Sequence, residues 1–403
     1  MDKLLEDEDE KKIELKKTIS LFDAVLLIIG SIIGTGIFIS PVGVIRHTGT
    51  VPAAICVWII CGILSVMGSL CYAELGTLFP TSGGPYVYIK EVFGSLPAFV
   101  YLWASLIGPP ASKSASAIAF AHYIIKPFYL NCDPPKISVI LLSLLLLLLL
   151  AFINCVSVKW SLRLNNSLSL TKIAALVIII IAGMCSLVLS KASMLNVSFE
   201  GPMNIGSFSL AIYSGLWTYS GWAHINAVTE EIRNPKRNLP LSIMIAIPVV
   251  TFIYVMTNIS YFSVISTTEI MSSEAVAVTF GQKVLGDLWY SMPVFVALSI
   301  FGALITSVFS TARIYYAGSR DGLLPASLSF LHSRNFTPLP AILLTCCLSV
   351  LLILTNSDIH ELSNYYVVAD ILSQIACIGS LLRLRVAKPW SHGPNLKPHE
   401  VLK

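Results

Sequence analysis

Ile28-Ile-Gly30-Ser31-Ile-Ile-Gly34-Thr35-Gly36-Ile-Phe38 is the stretch that decides the fold. It sits inside an apolar segment, residues 21–46, long enough to cross a bilayer. Yet it carries three glycines and two hydroxyl residues near its middle, and glycine is a poor helix former. In lipid, a broken helix leaves backbone N–H and C=O groups unpaired. That is tolerated only where they line a cavity or meet a ligand. An unwound span near the midplane is therefore the mark of a secondary transporter.

The rest of the chain agrees. Its 403 residues are 55% hydrophobic and only 12% charged, with a mean hydropathy of +0.79. Soluble domains carry about 25% charged residues, so the chain reads as an all-α membrane protein. Ten segments qualify as spans: 21–46, 51–79, 96–125, 136–156, 165–188, 205–228, 240–266, 288–317, 340–355 and 361–382. The first lacks a signal peptide's short apolar core and cleavage site, and is read as retained. With the N-terminus placed in the cytoplasm, 18 Lys and Arg fall in inner segments and 5 in outer ones. The bias predicts ten spans with both termini cytoplasmic. The run Leu144–Leu150 suits a lipid-facing helix.

A second break mirrors the first. The sixth span reads Tyr213-Ser-Gly215-Leu-Trp217-Thr-Tyr-Ser220-Gly221-Trp222-Ala-His224, with glycine, hydroxyl and aromatic residues crowding its centre. The first and sixth spans hold matching places in two successive sets of five. Paired glycine-interrupted spans point to a site between inverted repeats, and outweigh the simpler reading of glycines that ease helix packing. The predicted units are a tail 1–20, a first repeat 21–188, a second repeat 205–383 and a tail 384–403.

Other residues are less decisive. Lys172 interrupts an apolar stretch, which makes it a functional candidate unless it snorkels to the surface. Glu230 and Glu231 read as a solvated helix end, and Arg313 as the partner of an unspecified carboxylate. His224 reads as polar and pocket-adjacent rather than metal-bound, because no ligand cluster accompanies it. The turn-rich stretches 74–86 and 319–325 read as tight inner loops. Asn196-Val-Ser is a weak glycosylation acceptor pattern in an outer loop. Of nine cysteines, Cys132 alone sits in a polar outer loop. A bridge to another chain and an unpaired surface thiol are equally open there. No nucleophile–base pair, phosphate loop or metal cluster is visible, so neither catalysis nor a cofactor is expected, and nothing points to nucleic acid.

Nine motifs together resemble the light subunits of heteromeric amino acid transporters, in the amino acid–polyamine–organocation superfamily. They are Gly34-Thr-Gly-Ile-Phe-Ile-Ser-Pro41, Tyr72-Ala-Glu-Leu-Gly76, Phe152-Ile-Asn-Cys-Val-Ser-Val-Lys-Trp160, Phe199-Glu-Gly201, Tyr219-Ser-Gly-Trp222, Val228-Thr-Glu-Glu-Ile-Arg-Asn-Pro235, Arg237-Asn-Leu-Pro-Leu-Ser-Ile243, Ala275-Val-Ala-Val-Thr-Phe280 and Phe336-Thr-Pro338. The run through Trp160 and the Tyr-Ser-Gly-Trp motif look most like y+L-type exchangers of cationic and neutral amino acids.

The resemblance implies a LeuT-type fold of two inverted five-helix repeats. It implies that backbone around Thr35 and Gly36, with Ile37 beside it, binds an α-carboxylate. The Ile32 and Trp217 carbonyls would accept from the α-ammonium, helped by Ser307. Trp217 would close over the substrate, Ser220 would line the side-chain pocket, and Lys172 would replace a sodium ion. Cys132 occupies the place of the cysteine that bridges to a single-pass glycoprotein heavy chain. The implied function is sodium-independent exchange of neutral, and by the y+L-type motifs also cationic, L-amino acids at the plasma membrane.

Three departures stand out. Lys113 and Ala223 fall where relatives carry an uncharged and a polar residue respectively, and both become side-chain selectivity candidates. The match stops in the tenth span, so the family's eleventh and twelfth helices are expected to be missing. A non-transporting partner of the heavy chain, and a polyamine or amino acid antiporter, are the alternative readings.

Overall fold

The structure is a computed structural model that describes residues 17–129, 134–189, 204–273, 275–332, 335–356 and 358–387. Cys132, Asn196 and most of both predicted tails lie outside the described residues. Among those described, every regular element is a helix.

The first span is a bent pair, α1 (Leu21–Ile32) and α2 (Gly36–Thr48), with 49° between them. The second is α3 (Val51–Leu78), and a short α4 (Pro85–Phe93) follows it. The third is α5 (Ser95–Ser105) plus α6 (Gly108–Ile125), and the fourth and fifth are α7 (Lys136–Val156) and α8 (Val158–Leu189). The sixth is α9 (Ile205–Tyr219), continued past a break by a 3-10 helix, Trp222–Glu231. The seventh is α10 (Pro235–Val264), followed by the short α11 (Thr267–Ser272) and α12 (Val276–Val284). The last three are α13 (Ser291–Arg320), α14 (Leu339–Thr355) and α15 (Ile359–Ala387).

Six of these helices are long and apolar enough to cross a membrane alone, and α1 with α2 makes a seventh as a bent pair. The other three expected spans are two interrupted segments and the 17-residue α14. The interruption of the third span departs from the sequence reading. Its cause is Gly108-Pro109-Pro110: two successive prolines lack N–H groups and clash with the preceding turn, so they favour the opening of a new helix, the first turn of α6. The stretch 74–86 is also less loop-like than expected. α3 runs through most of its first half, and α4 begins at Pro85.

Packing sorts the faces. On α7, Leu141, Leu145, Leu148 and Phe152 form an outward stripe at helical spacing, while Leu146, Leu147 and Leu150 are buried. The all-leucine run is thus shared between lipid and core. α1 lies among α8, α10 and α13, and α2 runs along α9. Trp58, Tyr219 and Tyr254 make a buried aromatic triangle beside the two breaks, with ring centroids 5.1–6.2 Å apart.

At the Lys/Arg-rich face the chain start is fastened to the end of the sixth span. Ile19 N–H donates to the Glu231 carbonyl, and Arg233 N–H donates to the Ile19 carbonyl, each at 2.9 Å. Beneath this bridge, the buried Arg313 guanidinium donates to the buried Glu231 carboxylate at 2.8 and 3.4 Å. Glu231 is therefore not part of a solvated helix end. It turns inward because Arg313, stacked 3.6 Å over Phe309, gives it a fixed two-pronged partner. Glu230 does face outward, and pairs with Arg320 at 2.9 Å.

Candidate functional site

The two breaks meet. After Tyr219, Ser220 is extended and Gly221 adopts φ +108°, a conformation that L side chains rarely take. A Cβ at Gly221 would also lie 2.7 Å from the Ser31 carbonyl oxygen. At Gly36, an added Cβ would lie 2.8 Å from Thr218 Cα. Both glycines are there because backbone meets backbone.

Most of the carbonyls exposed by the breaks have a donor. Lys172 Nζ donates to Gly30 O at 2.7 Å and to Ile33 O at 2.8 Å. Ser299 Oγ lies 3.2 Å from Ile33 O and 3.3 Å from Gly34 O. The Tyr254 hydroxyl lies 3.1 Å from Ile32 O and 3.4 Å from Thr218 O. Ser31 Oγ reaches Gly221 O at 3.0 Å, and Ser220 donates to Trp217 O through both N–H and Oγ. Scaffold side chains thus supply what the lost helical bonds would have. The α2 N-terminus is different. Thr35 makes no side-chain cap, and of the first-turn N–H groups that of Phe38 turns back to the Thr35 carbonyl at 3.1 Å.

Between the breaks lies a cavity of about 90 Å³. Of the residues predicted for the site, Ile32, Thr35, Gly36, Trp217, Ser220 and Ser307 line it. Ile37 and Ala223 do not. Ile37 is fully buried in the core, and Ala223 packs against it. Lys113 is also away from the cavity wall, buried, with Nζ donating to Thr311 Oγ1 at 2.8 Å and Pro109 O at 3.2 Å. Lys172 is buried rather than snorkelling, and ties α8 to the break in α1. Among the described residues, neither lysine has a carboxylate partner. His224 does line the cavity, and its Nδ1 has no partner. Ser112 and Ser116, one turn apart on α6, also line it and were missed from sequence. Their signal was present as i, i+4 hydroxyls in an apolar span.

A helical membrane bundle with two broken spans closing on one polar cavity defines a secondary carrier. Comparison with known proteins agrees. The amino acid permease family model matches residues 19–398. The human cystine/glutamate transporter is 40% identical over 391 residues, 96% of this chain and 78% of its own. The mouse large neutral amino acids transporter small subunit 2 is 42% identical, covering 94% and 72%. The mouse Asc-type amino acid transporter 1 is 41% identical, covering 95% and 73%. The structure of MhsT in complex with L-phenylalanine aligns with a TM-score of 0.62 at 15% identity, over 94% of this chain and 91% of that one, a likeness of fold. The chain belongs to the amino acid permease family.

Proposed function

We propose that this protein is a sodium-independent exchanger of L-amino acids that works by alternating access. The observation that carries the reading is the asymmetry at the breaks. Carbonyls are largely spoken for, while at the start of α2 Thr35 and Gly36 line the cavity and no side chain caps the helix. Uncommitted donors at the positive end of a helix suit an α-carboxylate. Thr35 and Gly36 take that role, with Ile37 fixing the turn from behind.

The α-ammonium would use the second lone pair of the Ile32 carbonyl, with Ser307 across from it; the Trp217 carbonyl, the other acceptor the resemblance implies, already takes both Ser220 donors. Trp217 would cover the bound molecule and Ser220 border its side chain. Lys172 holds a donor on two carbonyls at the first break, where the resemblance replaces a sodium ion, which supports transport without sodium. No bond chemistry is required of any residue. By the bias of Lys and Arg, both termini lie in the cytoplasm. The family resemblance adds the plasma membrane, and a disulfide from Cys132 to a single-pass heavy chain.

Counterflow tests this. Vesicles holding the full chain with its heavy chain, preloaded with unlabelled amino acid, should accumulate labelled amino acid equally with and without sodium. Accumulation that ignores the internal amino acid, or collapses without sodium, refutes the proposal. A Cys132→Ser chain on a non-reducing gel tests the partner: the heavier band should disappear.

A further inference from the structure

The geometry points to a substrate class: small, uncharged amino acids whose side chain carries a hydrogen-bonding group, of the serine and threonine kind. This rests on the exchanger reading and narrows it. Among the described residues, no Asp, Glu, Lys or Arg lines the cavity. Its polar wall is made of hydroxyls. Those of Ser31, Thr218 and Ser220 are spent on backbone carbonyls. Those of Thr35, Ser112, Ser116 and Ser307 bond to no protein group among the described residues, and Tyr366 adds a phenol from α15. With Thr35 and Ser307 assigned to the α-carboxylate and α-ammonium, Ser112 and Ser116 remain, together with the unpartnered Nδ1 of His224. These three face the cavity from α6 and the 3-10 helix, and no part of the α-amino acid core claims them.

Size and charge exclude the rivals. The cavity holds about 90 Å³, so any amino acid must widen it, and a longer side chain must widen it more. A long apolar side chain would have to displace Trp217 or Leu304, and would strand the two hydroxyls without partners. A cationic side chain would find no carboxylate on the wall. A carboxylate side chain would find no cation on the wall, because Lys113 Nζ is turned to Thr311 and Pro109.

Two measurements test this on the full chain with its heavy chain. In counterflow, unlabelled L-serine and L-threonine should compete with labelled L-serine at least tenfold better than L-leucine, L-arginine or L-glutamate. In detergent, L-serine should raise the melting temperature where L-arginine does not. Absent counterflow with selective stabilisation by serine sinks the exchanger reading and upholds the substrate class. Stabilisation or competition by leucine, arginine or glutamate equal to serine overturns the class. No stabilisation by any amino acid at millimolar concentration overturns both. Ser112→Ala and Ser116→Ala should each weaken serine about three- to tenfold while leaving alanine unchanged. An equal loss for serine and alanine would mean that the hydroxyls only support the fold, and would overturn their role.

Discussion

The buried pair of Glu231 and Arg313 lends itself to a quantitative test. Removing the carboxylate by Glu231→Gln leaves Arg313 charged inside the protein, with only the Phe309 carbonyl at 3.2 Å and the Phe309 ring as company. At the observed 2.8 Å separation, the lost attraction is about 6 kcal/mol for an effective dielectric constant near 20. Much of it is offset in the native protein by the desolvation of both groups. The net cost of breaking such a pair is about 3–5 kcal/mol. Arg313→Met should cost a similar amount by stranding the carboxylate. The double variant Glu231→Gln/Arg313→Met strands no charge, so it should be closer to the parent than either single variant. Unfolding by SDS titration in mixed micelles, read by tryptophan fluorescence, gives the four corners of the cycle. Single variants within about 1 kcal/mol of the parent, or additive effects, would refute the claim that this pair is a desolvated unit.

Gly221→Ala should abolish substrate-dependent stabilisation of the purified protein, because φ +108° and the Ser31 carbonyl 2.7 Å away leave no room for a methyl group; an unchanged thermal shift would contradict the geometry. Lys172→Met keeps the volume and strands the Gly30 carbonyl, Ile33 keeping Ser299 as donor, at about 1–3 kcal/mol for the unmet acceptor, so exchange should fall with the melting temperature, and normal exchange would refute a role for that contact. At the edge of α11, the Lys283 ammonium at 2.7 Å and the Ser266 hydroxyl and N–H hold the Glu269 carboxyl at a pKa lowered to about 2. A depressed folded pKa stabilises above the ordinary carboxyl value of 4.5 and is lost as pH falls towards 2. Melting temperature should therefore fall less steeply below pH 4.5 in Glu269→Gln than in the parent, and superimposable profiles would reject the assignment.

Much of the fold was legible because lipid enforces it. Ten apolar segments and two glycine-rich centres are what a bilayer-spanning chain with two unwound helices must show. The Gly108-Pro109-Pro110 break was equally written there, but it lay inside a long apolar run and was passed over. The site was readable on the side of the breaks, where glycine announces backbone contact. It was not readable on the opposite wall, since Ser112 and Ser116 look like ordinary small residues until α6 is placed against the 3-10 helix. Lys113 shows the reverse error. A charge next to a cavity in sequence is not a charge in the cavity, and its direction depends on Thr311, 198 residues away. Glu231 was misread because a charged cluster at a helix end is usually wet, and only the arrival of α13 makes it dry.

The bridge between Ile19 and Ile232 has a consequence for how this chain tolerates change. Its two bonds are made by main-chain groups alone, so replacing the side chains at 19, 231 or 233 leaves the fastening intact, with one exception. Proline at 19 or 233 deletes a donor outright. A drifting sequence can therefore retune the exposed charges around that seam, the buried Glu231 and Arg313 apart, while the first and sixth spans stay stitched together.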